Sequence, residues 1–145
     1  MVKEMRQPTG RNLELARVLL VDDDPTSRLT LQTVLRAGGY RVDAAASAAE
    51  ALDKLDSAEY QLVLTDLHME SPESGLKVLA HARLMDYKPA TALITTYRDS
   101  RRTTRKPSQT VLIEPEDLPG LLTRVAELVS ERATRRVERS LRHYG

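Results

Sequence analysis

Apolar residues in this chain fall in short runs separated by stretches with helical spacing. Ala16 to Val21, interrupted only by Arg17, has the pattern of a buried strand. Pro25 to Ala37 carries Leu29, Val34 and Leu35 at helical spacing, opens on a proline suited to a first turn and stops at Gly38-Gly39. Tyr40 to Ala45 is a weaker strand. Ser47 and Glu50 stand in the capping-box relation, ahead of a helix carrying Leu52 and Leu55. Gln61 to Thr65 is a strand that ends at Asp66, Met69 to Ser74 a loop, and Gly75 to Met85 a helix. Ala90 to Thr95 and Thr110 to Ile113 are further strands. Asp117 to about Glu131 is an amphipathic helix with Leu121, Leu122, Val125 and Val129 on one face. Strand and helix thus alternate, which predicts an α/β fold built on a doubly wound parallel sheet. One unit is irregular. The segment "TYRDSRRTTRKPSQ" between the last two strands has no aliphatic residue, so the fourth helix is expected to be short, distorted or missing.

Composition refines this picture. A length of 145 residues fits one domain with tails: a flexible polar arm over 1–15, a folded domain over 16–131, and a basic extension over 132–145. The tail "SERATRRVERSLRHYG" could continue the last helix, but Arg132 and Arg136 fall where an apolar heptad would need core residues, so a long coiled coil is not expected. Without Phe, Trp or Cys, the core must be Leu, Val, Ile and Ala, and disulfides and thiolate metal sites are excluded. Met1 to Asn12 has no apolar centre and no apolar run approaches ~20 residues, so a cytoplasmic protein with no membrane partner is expected. Net charge is only +1, although arginines crowd Arg98 to Lys106 and again Arg132 to Arg142. No aromatic residues interleave with them, so nucleic acid is not an expected partner. His68, His81 and His143 lack metal-ligand spacing.

The candidate chemistry begins at "VLLVDDDP", where four apolar residues run into Asp22, Asp23 and Asp24. By itself this is an ordinary strand-to-helix turn with a capping acid. Asp66, however, ends a second apolar run, and Thr95 ends a third. In open parallel sheets functional residues gather beyond the carboxyl ends of the strands, where strand order reverses. If the first and third strands are neighbours, Asp22, Asp23 and Asp66 meet in one crevice. Three mutually repelling carboxylates suit a hard divalent cation, most simply Mg²⁺, which could hold a phosphoryl group against a carboxylate nucleophile.

The fragments "VLLVDDDPTSR", "YQLVLTDLHM", "GLKVLAHAR", "ALITT" and "EPEDLPGLLTRV" resemble, in order and spacing, the signatures of the receiver (CheY-like) domain of two-component response regulators. The resemblance covers roughly Arg17 to Val129. It implies a flavodoxin-like sheet of five parallel strands in the order 2-1-3-4-5. It also implies Asp66 as phosphoacceptor, Mg²⁺ on Asp22, Asp23, Asp66 and the His68 backbone carbonyl, and Thr95 as the switch hydroxyl that hydrogen-bonds the phosphoryl group. The implied phosphate donor is a histidine kinase or phosphotransfer protein, and the output is contact with a downstream protein of unknown identity, in a phosphorelay rather than by enzymatic turnover. Asp24, preceding Pro25, is placed to cap the first helix and lies outside the implied metal set.

Departures from the pattern are specific. Glu114 stands where the family has lysine, so the charge facing a phosphoryl group is reversed. Val111 replaces an aromatic switch residue, Thr96 a small residue, and Glu70 a proline. Three accounts stay open. A nearby cation such as Arg98 or Lys106 takes over the lysine's role; the domain accepts phosphate weakly or briefly; or it is a pseudo-receiver that binds partners without phosphorylation. A receiver standing alone is expected, since no helix-turn-helix segment follows. A different class, a haloacid-dehalogenase-type phosphatase using Asp22-x-Asp24 and Thr95, would leave Asp66 unexplained.

Overall fold

Period-two alternation sorts the strand residues into two cores. Val18, Leu20, Leu62, Leu64, Ala92 and Ile94 face one side of the sheet, and Leu19, Val21, Val63 and Leu93 the other. All ten are buried, as expected for parallel strands covered on both faces. The computed structural model describes residues 15–67, 69–95, 111–113 and 118–144. Its elements are β1 (Arg17–Val21), α1 (Pro25–Ala37), β2 (Arg41–Ala45), α2 (Ala48–Ser57), β3 (Leu62–Asp66), α3 (Pro72–Arg83), β4 (Ala90–Ile94), β5 (Val111–Ile113) and α4 (Leu118–Tyr144). The strands form one parallel sheet in the order β2-β1-β3-β4-β5. Helices α1 and α4 cover the face of the first core through Leu31, Leu35, Leu121, Val125 and Leu128. Helices α2 and α3 cover the second through Ala51, Leu55, Val78, Leu79 and Ala82.

Local signals act where the chain places them. Ser47 Oγ accepts from the Glu50 N–H at 3.1 Å, and Glu50 reaches back to the Ala46 N–H at 2.8 Å, closing the head of α2. Gly39 ends α1 at φ 102°, a left-handed conformation that favours glycine.

Several expectations need correction. Helix α3 begins at Pro72, not Gly75, because proline at the first helical position is already set for the helix. Tyr60, absent from the expected aliphatic core, is the largest fully buried side chain among the described residues. Its hydroxyl donates to Asp43 Oδ2 at 2.8 Å, and that carboxylate also binds Arg17 at 2.7 Å. Burial would raise the Asp43 pKa, but the Tyr60 and Arg17 bonds hold it below the usual carboxylate range.

The largest difference lies at the C-terminus. The final helix does not end near Glu131: α4 runs without interruption to Tyr144, 27 residues in all. Arg132 continues the buried stripe of Leu121, Val125 and Leu128 and is only 8% exposed. Its Nε donates to the Lys88 carbonyl at 3.0 Å and its Nη2 to the Tyr87 carbonyl at 2.6 Å, in the turn between α3 and β4. The short, distorted or missing fourth helix and the Arg98 to Lys106 cluster lie outside the described residues, as does the arm up to Glu14.

Candidate functional site

The order β2-β1-β3 means that the chain leaves β1 in one direction for β2 and returns past it to β3. The strand order therefore reverses between β1 and β3, which opens a crevice beyond their carboxyl ends. Register sets the depth: Val21 pairs with Thr65 and Asp66 with Ile94, so Asp22, Asp66 and Thr95 all come out at one rim. The carboxylates of Asp22, Asp23 and Asp66 each offer an oxygen within 4.8 Å of the others. Asp22 and Asp66 are buried and Asp23 is exposed, so the cluster has one open side. Thr95, buried at the end of β4, flanks it.

The turn after β1 divides the three consecutive aspartates. Asp22 Oδ1 accepts from the Asp24 N–H at 2.9 Å. Asp24 adopts an extended backbone and turns its own Oδ2 onto the Ser27 N–H at 2.8 Å, capping α1 ahead of Pro25. Asp24 is thus a cap, as the order Asp-Pro implied. Burial pushes the Asp22 carboxyl from its ordinary 3.8 to about 6; the Asp24 N–H pulls it back, and the charges of Asp23 and Asp24 push it up again. Arg28 is a positive charge that draws it down, but it is the smallest of these causes, so the carboxyl stays well above its ordinary range. The all-oxygen donor set, buried on one side and open on the other, fits a hard divalent cation such as Mg²⁺.

Two contacts that the sequence reading did not find shape the loop after Asp66. A Cβ on Gly75 would stand 2.9 Å from the Asp66 carbonyl oxygen, so α3 approaches the end of β3 as closely as only glycine allows. Gly75→Ala is accordingly expected to cost about 1–3 kcal/mol, because the obstacle is backbone and cannot rotate away. Denaturant unfolding with amide spectra of the Leu67 to Glu70 segment checks this; unchanged stability and spectra would refute it. Glu70, a departure from the family pattern in the sequence, accepts from the Ala48 N–H at 3.3 Å. A carboxylate at the first turn of α2 is favourably placed on the helix dipole and ties the loops after β2 and β3 together. His68, Thr96 and Glu114 lie outside the described residues, and Val111 is described only as part of β5. His81 is not near the rim: its Nε2 lies 2.8 Å from Asp56 Oδ1, linking α3 to α2.

Fold and rim define a doubly wound parallel α/β module with an acid cluster at its topological switch point. The response regulator receiver domain model matches residues 18–109, and the chain belongs to that family, a signalling module of two-component systems. The sensor protein EvgS of Escherichia coli (strain K12) is 41% identical over 56 residues, 39% of this chain and 5% of EvgS. The gliding motility regulatory protein of Myxococcus xanthus is 38% identical over 78 residues, 54% of this chain and 10% of that protein. The chain thus spans a small part of these relatives' length. Among solved structures, a response regulator receiver protein from Sinorhizobium medicae WSM419 superposes with a TM-score of 0.68 at 28% identity, covering 83% of this chain and 98% of its own. A CheY-like receiver domain protein from Methanospirillum hungatei JF-1 gives 0.66 at 25% identity, covering 82% and 97%. No helix among the described residues is long and apolar enough to cross a membrane.

Proposed function

We propose that this domain is a phosphoacceptor in a two-component relay, with Asp66 as the acceptor and Asp22, Asp23, Asp66 and the His68 carbonyl as Mg²⁺ ligands. The observation that carries this reading is the convergence of three carboxylates within 4.8 Å at the switch point. Bound Mg²⁺ would supply positive charge to neutralise the cluster and the oxygens of an incoming phosphoryl group. An ionised Asp66 oxygen attacks phosphorus while the P–N bond of a phosphohistidine, or the P–O bond of acetyl phosphate, breaks and the leaving group keeps the electron pair. Water later cleaves the acyl phosphate, releasing inorganic phosphate and restoring the carboxylate. Thr95, buried at the end of β4, would donate its hydroxyl to a phosphoryl oxygen. The donor is a histidine kinase or phosphotransfer protein, and the domain, in the cytoplasm, passes the signal on by protein contact.

Glu114 favours a second reading, the pseudo-receiver, because its sequence position puts a negative charge where the family has a positive one. The phosphatase alternative is opposed by Asp24, whose carboxylate caps α1. Intact-protein mass after incubation with acetyl phosphate or phosphoramidate and Mg²⁺ tests all three. Wild type is expected to gain one phosphoryl group and Asp66→Ala none, with Glu114→Lys raising the yield or the lifetime. No gain in wild type under any condition would leave the pseudo-receiver. Continuous release of phosphate from an aryl phosphate would favour the phosphatase.

A further inference from the structure

Residue 28 sits one turn into α1, where Asp24 and Pro25 fix the start of the helix, and its N–H donates to the Asp24 carbonyl at 2.9 Å. Side chains of an α-helix lean back toward its N-terminus, so a long residue here reaches the end of β1. Arg28 does so, and its Nη1 donates to the Asp22 carbonyl oxygen at 2.8 Å. That acceptor is neutral, so the bond fixes the guanidinium beside the acid cluster without cancelling its charge. Among the described residues, no ion pair joins Arg28 to a carboxylate. Among the described residues, Arg28 is the positive charge that acts on Asp22 against Asp23 and Asp24.

We propose that Arg28 is the positioning cation of this pocket: it holds the Asp22 backbone and offsets the carboxylates' charge so that a phosphoryl dianion can approach Asp66. The inference rests on the reading of the rim as a phosphoryl pocket, and it assigns to α1 a charge that Glu114 does not supply. It also makes two effects of opposite sign. A fixed cation beside the cluster repels Mg²⁺ and attracts phosphate, so removing it should tighten metal binding while slowing phosphorylation. A merely structural role would weaken both together.

The test compares wild type, Arg28→Gln, which keeps a donor for the Asp22 carbonyl but no charge, and Arg28→Lys, which keeps the charge. Mg²⁺ affinity is measured by calorimetric titration, and Asp66 phosphorylation by mass gain with acetyl phosphate. In Arg28→Gln, Mg²⁺ is expected to bind roughly threefold to tenfold tighter and the rate of mass gain to fall by about the same factor, the scale of one half-screened charge. Arg28→Lys is expected to restore both values toward wild type. Unchanged or weaker Mg²⁺ binding in Arg28→Gln would overturn the proposal. If wild type gains no mass, the phosphoacceptor reading fails, and the sign of the Mg²⁺ change still decides the role of Arg28. Should Arg28→Gln not fold, Arg28→Met removes the same charge for the same comparison.

Discussion

Asp22→Asn is expected to stabilise the metal-free protein at pH 8 and, at the same time, to abolish its stabilisation by Mg²⁺. The Asp22 carboxyl is 2% exposed and, chiefly through that burial, titrates near pH 6 instead of 3.8. A carboxyl whose pKa is raised on folding contributes stability while it is protonated, at low pH. That contribution is lost as the pH rises from about 4 through about 6, because the folded state then holds a charge that the unfolded chain carries more readily. At 1.36 kcal/mol per unit, the cost above pH 6 is about 2–3 kcal/mol. Asparagine keeps an oxygen to accept the Asp24 N–H and removes the charge. The thermal midpoint of the variant should therefore exceed that of wild type by roughly 5–10 °C at pH 8, with the difference vanishing near pH 4. If the cluster holds Mg²⁺ as proposed, the ion is expected to reverse the ranking, since it stabilises only the chain that binds it. Melting curves at pH 4.5 and 8, with and without Mg²⁺, check both arms. A variant less stable than wild type at pH 8 without metal would refute the electrostatic account.

Arg132→Ala is expected to cost about 2–3 kcal/mol, the scale for losing charge-assisted hydrogen bonds together with the buried stem that carries them. Two carbonyls lose donors: Lys88 loses its bond from Nε, while Tyr87 keeps only the longer 3.2 Å contact from Arg136. Lys88 has φ 43°, an unfavourable conformation for a lysine, and its own N–H and carbonyl are both engaged in the turn. Without Arg132 the strain at Lys88 is less well held, and residues 133–144 of α4 keep only the weaker Arg136 bond to the Tyr87 carbonyl among the described hydrogen bonds. Hydrogen exchange should therefore quicken in Leu84 to Lys88 and in 133–144 and stay unchanged in β1 and β3. Uniform quickening, or none, would refute this. Arg132→Met, which keeps most of the stem, should recover part of the stability but not the protection of the turn.

The two substitutions mark different degrees of legibility. Apolar strands running into acids, Asp-Pro at a helix start and Ser47 paired with Glu50 are local patterns, and each physical cause lies within a few residues. The strand order added one long-range fact, that β1 and β3 are neighbours, which brought three carboxylates from two strand ends into one cluster. Arg132 was read as the point where the core ends because a charge interrupts an apolar stripe. What the charge meets, the Tyr87 and Lys88 carbonyls more than 40 residues earlier in the chain, is not written near it. The same holds for Tyr60 on Asp43, for Gly75 against the Asp66 carbonyl, and for Glu70 on the first turn of α2. Arg28 lies in between, since its place on α1 was legible but its carbonyl partner was not.

The sequence alone determined the α/β class, the parallel sheet, the acids that end the first and third strands and the role of Asp24 as a helix cap. These follow from periodicity, turn chemistry and charge, all of which act over one or two turns of chain. Tertiary structure alone decided how close the carboxylates stand, where Arg28 spends its hydrogen bond and how far α4 extends. Those depend on distances between segments remote in sequence, where packing and desolvation set each partner.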